Sequence, residues 1–398
     1  MKIVLALTAL LVTIAQDTAL STTQELLHSD WALFKTKHHK QYNNDEEESS
    51  RFQIFQENRN MIIEHNKLYE QGLVSFKMAV NKFADKTREE RMKNKPTTRH
   101  SNVSRSSKVG RHSNVTRSST VGRGSKVASS STTIPPRSVY LNWVEEGYVT
   151  EVKDQGDCGA WWAFSAVAAV ESQVRWSYPK LISLSEQNVI DCSSKYGLKG
   201  CDSGTLHHTF NYILIQGINP EAHYPYTGKL GTCSFNSSDN YVILQDYSDI
   251  SYADEEGLKS TVNTKGPVAV EFDASLDSFI FYESGMVGGR VKGVASQLTK
   301  VFLRVNKNRC ITETVDDASY MIGIYYDSKC SSEDLNHGMV VVGYGTEDSQ
   351  DYWLLKNSWG KDWGEEGYVR VARNKDNLCG VASAATYPIQ PTVLGPRL

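Results

Sequence analysis

Three residues of this 398-residue sequence sit in runs where their types bear on nucleophilic chemistry: a histidine and an asparagine that could take part, and a tryptophan that could not. His337 heads an apolar run in Leu335-Asn336-His337-Gly338-Met339-Val340-Val341-Val342-Gly343-Tyr344-Gly345. Asn357 lies in Tyr352-Trp353-Leu354-Leu355-Lys356-Asn357-Ser358-Trp359-Gly360. Upstream is Gln155-Gly156-Asp157-Cys158-Gly159-Ala160-Trp161-Trp162-Ala163-Phe164-Ser165. A cysteine beside a histidine performs nucleophilic catalysis as a thiolate, with the imidazole moving the proton. An indole cannot form that species, so Trp161 contributes no nucleophile. A lone histidine ahead of an apolar strand is more often structural. The Cys and His spacings fit no zinc site, and nothing calls for a metal or organic cofactor.

The run around Trp161 resembles the active-site segment of the papain/cathepsin cysteine proteases, Gln-Gly-x-Cys-Gly-Ser-Cys-Trp-Ala-Phe. The match is close on both sides of one position. There the family carries its catalytic Cys and this sequence carries Trp161. The resemblance implies that Gln155 occupies the oxyanion-hole position, that His337 is the proton-transfer residue, and that Asn357 orients its ring under the cover of Trp359. It implies disulfides Cys158–Cys201, Cys192–Cys233 and Cys330–Cys379, which would leave Cys310 over; the spacing alone cannot pair them. Cys158, matching a disulfide cysteine, would not replace the missing nucleophile.

Likeness also reaches the substrate cleft. Leu206, Leu335 and Ala384 match positions lining the main specificity pocket and would favour an apolar side chain. Glu271 falls on a pocket wall that is usually small and apolar; an acid there would either accept a basic side chain or stand as a solvated departure. In Cys201-Asp202-Ser203-Gly204, Ser203 replaces a family glycine beside which substrate backbone passes, and its bulk would weaken docking.

Around these residues the sequence divides by composition. Met1-Lys2 and the mostly apolar 12-residue stretch Ile3 to Ile14 read as a secretory signal peptide, residues 1–19, too short to span a bilayer. Seven Cys on that route fit an oxidising compartment, and a net charge of −3 gives no sign of nucleic-acid binding. Residues 20–90 form a helix-favouring pro-segment. Glu47, Arg51, Phe55, Asn58, Ile62 and Asn66 fall on one helix face, with an i,i+4 ion pair expected for Glu47 and Arg51. These six, together with Trp31, Phe34 and Ala79-Val80-Asn81-Lys82-Phe83-Ala84-Asp85, resemble the inhibitory propeptide of cathepsin L-like proteases. By that likeness the segment folds as a small helical domain and blocks its own cleft.

Residues 91–134 hold ten Lys or Arg and no Asp or Glu, with a 12-residue near-repeat from Arg99, and read as a disordered linker. Repeated basic residues suit cleavage by other proteases, and Asn102 and Asn114 head glycosylation sequons. Residues 135–390 form the main domain and 391–398 a loose tail. About 286–322 has no counterpart in the family. Removing it returns the interval from Trp161 to His337 to the family's usual ~130–150 residues. That insert is either a surface loop or translated intron.

The expected fold is α+β: a papain-like pair of lobes, one helical and one a β-barrel, behind a helical inhibitory prodomain. The expected function is a secreted or lysosomal cathepsin L-like homologue without proteolytic activity. It would be monomeric, would bind its own propeptide and other proteins or peptides, and would have no membrane span. Two alternatives stand beside it. Trp161 is a sequence error over an active endopeptidase, since Cys and Trp codons differ at one base; or the released pro-segment inhibits related active proteases.

Overall fold

The computed structural model describes residues 24–92, 98–99, 139–239, 241–284 and 323–394. The signal peptide, nearly all of the linker with Asn102 and Asn114, the 286–322 insert with Cys310, and residues 395–398 lie outside the described residues. Among the described residues, no helix is long and apolar enough to cross a membrane.

The pro-segment comprises α1 (24–37), α2 (Asp45–Glu70) and α3 (Arg88–Met92). Asn44 caps α2 by accepting the Glu47 N–H, and four acids in the first turn complement the helix dipole. Phe55 and Ile62 are buried on the face read from the sequence. Phe55 packs with Trp31 and Phe34 at ring separations of 5.1 and 5.0 Å. Asn58 and Asn66 donate to the Ala84 and Met78 carbonyls, both at 2.8 Å, and so tie the chain that follows to the helix. The expected Glu47–Arg51 ion pair is absent. Arg51 reaches Glu90 at 2.6 Å instead, and Glu47 accepts from Asn43 at the cap. The domain also runs slightly past residue 90, because α3 ends at Met92 and Arg91 is buried.

Two linker residues fall among the described ones. Thr98–Arg99 (β1) pair antiparallel with Asp334–Leu335, an edge whose backbone accepts an added strand.

After β2 (Leu141–Asn142) the helical lobe is built on α4 (Trp161–Ser177), with α5 (Glu186–Cys192) and α6 (Leu206–Gln216) against it. Helix α4 is apolar nearly all round and buried along its first twelve residues, as befits a helix inside a core. Next come β3 (Tyr241–Ile243), β4 (Asp246–Asp249), α7 (Glu255–Lys265), β5 (Val268–Phe272) and the short α8 (Asp277–Ile280). The chain continues in β6 (Asp334–Leu335), β7 (His337–Glu347), β8 (Gln350–Lys356), β9 (Tyr368–Ala372), β10 (Ala385–Ile389) and β11 (Thr392–Leu394).

The barrel lobe is an antiparallel sheet ordered β4–β10–β5–β7–β8–β9, with β2 extending the β5 side of β7. Strand β7 is buried over nine successive residues, so its apolar run does not alternate. The pro-segment's core is continuous with this lobe's, joining Phe55, Phe76 and Met78 to Phe279, Tyr282 and Tyr325. The tail departs from the looseness expected of it: β11 pairs with β3, and Val393 packs on the helical lobe's core.

Candidate active site

Helix α4 opens into the cleft at Trp161. Its N-cap, Ala160, supplies no side-chain hydrogen bond, so the first-turn N–H groups gain nothing there. The Trp161 side chain is 1% exposed, and its indole Nε1 has no hydrogen-bond partner among the described residues. The ring lies over Gly338: a Cβ on that glycine would sit 2.6 Å from Trp161 Cε3. The indole seat therefore depends on a missing side chain in β7. Cys158 is committed to a disulfide with Cys201, and Cys192–Cys233 and Cys330–Cys379 are the other two bridges.

The opposite wall holds His337 and Asn357. His337 begins β7 and Asn357 follows β8; pairing of these strands brings their side chains together. His337 Nε2 lies 2.8 Å from Asn357 Oδ1, with both side chains buried. The same Oδ1 accepts the Ser358 N–H at 2.8 Å, which fixes the amide's orientation. Trp359 covers the pair, its ring 4.6 Å from the imidazole and tilted by 33°. The Trp161 and His337 ring centres are 6.4 Å apart. An imidazole held in this way could receive a proton from a neighbouring thiol, but the neighbour is an indole.

Gln155 is anchored at both ends of its amide. Ser358 Oγ donates to Oε1 at 2.6 Å and Nε2 donates to the Cys158 carbonyl at 2.9 Å. Its backbone N–H also bonds the Ser358 carbonyl, joining this loop to the segment carrying Asn357.

The residues matched to the specificity pocket come from both lobes. Leu206 starts α6 and is buried, Leu335 lies in β6, and half-buried Ala384 precedes β10. Glu271 is 3% exposed in β5; its N–H bonds the Ala384 carbonyl, and its register partner is Gly338. Cross-strand partners share a sheet face, so Glu271 stands on the face that meets Trp161. Ser203 is half-buried. Gly204 cannot carry a side chain, because a Cβ would lie 2.3 Å from Trp162 Cδ2.

A buried charge cluster that the sequence reading missed lies between α4 and β8. Lys153 Nζ bonds Glu171 at 2.8 Å and Glu186 at 2.7 Å, while Lys356 Nζ bonds Thr150. Burial pushes Glu186 up to about 7 and Lys356 down to about 8. Burial alone would also raise Glu171, but Lys153 and Lys356 outweigh it and hold that carboxyl low. These residues are scattered from 150 to 356, and no local spacing announces them. The seat at Gly338 was equally missed; its one sequence signal is a glycine directly after His337.

The pro-segment packs on the main domain through complementary charge and backbone pairing. Lys82 meets Asp154 and Lys86 meets Asp157, each at 2.6 Å, and Arg91 meets Asp277 at 2.5 Å. Lys86 holds the Asp157 carboxyl below its usual range. The Ala79 N–H bonds the Phe281 carbonyl, Asn81 donates to the Ile280 carbonyl, and Phe83 sets its edge against Trp359 at 5.2 Å. A cavity between the two parts is lined by Phe83, Arg91, Gln155, Gly159, Trp161 and Trp359.

Comparison with known proteins agrees with this architecture. Residues 136–302 and 289–389 match the papain family cysteine protease domain, and residues 31–91 match the cathepsin propeptide inhibitor domain. The chain is 38% identical to a cathepsin L of Sarcophaga peregrina over 96% of its own length and 98% of that protein's. It is 37% identical to a cathepsin L-like peptidase of Aedes aegypti, over 98% of its own length and 100% of the relative's. Digestive procathepsin L 3 of Tenebrio molitor larval midgut superposes with a TM-score of 0.71 at 37% identity, covering 92% of this chain and 99% of that one. The chain belongs to the papain family of cysteine proteases and carries the family's propeptide inhibitor domain ahead of the protease fold.

Proposed function

We propose that this cathepsin L-like protein is a cysteine-protease homologue that does not hydrolyse peptide bonds. The observation that carries the reading is the buried indole of Trp161 at the mouth of α4, beside an ordered His337–Asn357 pair. By family likeness that is the nucleophile position, and no acyl intermediate forms there without sulfur. Cys158 offers no substitute, since its sulfur is bonded to Cys201.

What remains is a peptide-binding scaffold held closed by its own pro-segment. Leu206, Leu335 and Ala384 would receive an apolar side chain of a bound peptide, with Glu271 favouring a basic one at the same wall. Three disulfides and the apolar leader support passage through the secretory route, to the lysosome or the exterior.

The test is a peptidase assay on the chain freed of residues 1–134, unmodified and as Trp161→Cys. The expected result is no hydrolysis by the first and clear hydrolysis by the second. Turnover by the unmodified protein, or labelling of it by a thiol-directed warhead, sinks the proposal. A genuine Cys codon at 161 would restore the reading of an active endopeptidase, with Gln155, His337 and Asn357 in their family roles.

A second reading concerns the pro-segment alone. Its match to the inhibitor domain favours a released segment that blocks active relatives. Titrating it against such a relative should show inhibition at micromolar levels or below; none there counts against it.

A further inference from the structure

We infer that Asn236 is a site of N-linked glycosylation. The triplet Asn236-Ser237-Ser238 is a sequon with no proline at its centre. It lies between α6 and β3 on the helical lobe, three residues after Cys233, and all three of its residues are exposed.

The local hydrogen bonding separates backbone from side chain. Asn219, itself buried, donates from Nδ2 to the Asn236 carbonyl at 3.2 Å and accepts the Asn236 N–H at 3.5 Å. The Asn236 side-chain Oδ1 accepts the Ser238 N–H at 2.9 Å, a turn that folds the third residue back over the acceptor amide. That leaves Nδ2 with no hydrogen bond among the described residues. A sugar attached there displaces no buried contact, because the loop is held in place through its backbone.

The modification is a group transfer. Nδ2 attacks the anomeric carbon of an oligosaccharide carried on a lipid diphosphate. The new C–N bond forms as the C–O bond to phosphate breaks, the lipid diphosphate leaves, and the amide proton passes to a base. No electrons are exchanged. The donor belongs to the secretory route, so the inference rests on that part of the proposed function.

The experiment uses the full chain expressed in insect cells with N102Q and N114Q, which removes the two linker sequons. One version keeps its own N-terminus and another carries an established signal peptide in its place. Peptide–N-glycosidase release in heavy-oxygen water converts a glycosylated Asn to labelled Asp, read by mass spectrometry of the peptide containing residue 236. Label is expected in both versions, and S238A should abolish it in each. Label only with the substituted leader upholds the glycan and overturns the secretory reading of the native N-terminus. An unlabelled residue 236 in the substituted-leader protein, with Cys192–Cys233 formed, overturns the inference. So does label that survives S238A.

Discussion

The two walls of the cleft differ in what they hold. On the barrel side, His337, Asn357 and Trp359 are tied by a 2.8 Å hydrogen bond, a second bond fixing the amide, and an aromatic cover, although Asn357 Nδ2 is buried with no hydrogen-bond partner among the described residues. On the helical side, the residue at the head of α4, Trp161, is a large buried hydrophobe whose indole Nε1 is likewise unmatched among the described residues. The histidine wall is held by groups that also stabilise strands β7 and β8, so its order survives without any demand for chemistry. A side chain at the mouth of α4 is not part of the β7–β8 ladder, so its identity leaves that pairing intact. An ordered His–Asn pair is therefore no proof of turnover.

The largest effect that could break this contrast lies in the barrel wall of a Trp161→Cys variant. In a Trp161→Cys background, His337→Ala should lower peptide hydrolysis by several orders of magnitude, as removal of a member of a nucleophile–base pair does. In the unmodified chain the same change should alter no peptide hydrolysis. An equal, small effect in both backgrounds would show that the imidazole is not poised.

A smaller effect tests the helical wall. Gly338→Ala should destabilise the protein by about 1–3 kcal/mol, since the added methyl meets the indole. Paired with Trp161→Ala, most of that penalty should vanish, giving a coupling of about 1 kcal/mol or more in denaturant titrations. Strict additivity would place the indole elsewhere.

The smallest effect concerns the charges beneath both walls. Glu186 has its folded value raised from 4.5 to about 7 by burial, so folding takes up a proton between those limits. Its contribution is full below 4.5 and is lost as pH rises through about 7. Glu186→Gln should flatten the decline in stability across that window. Glu171, held low by Lys153 and Lys356, works in the opposite sense: its contribution is lost as pH falls below its ordinary range. An unchanged slope in Glu186→Gln would show that the carboxyl is ionised throughout.

Much of this architecture was legible because local pattern and motif agree. The stripe along α2 is a matter of helical period, and the runs flanking His337 and Asn357 are long enough to place both. Burial of Phe55 and Ile62 follows from the first, the His337–Asn357 bond from the second. Other features rest on distant partners that no window contains. Arg51 chose Glu90 over a neighbour one turn away because the chain doubles back alongside α2. The Lys153–Glu171–Glu186 cluster joins a loop to two helices. The seat of Trp161 depends on an atom that Gly338 lacks, and β11 is three residues with no periodicity to read.

The pairing of β11 with β3 also constrains how the molecule can open. The chain leaves the barrel at β10 and crosses to be stitched to the other half, with half-buried Val393 packed against the core around α4. Any motion that parts the halves to admit a bulky guest must first unpick this clasp or carry it along. Trimming residues 391–398 would remove this clasp.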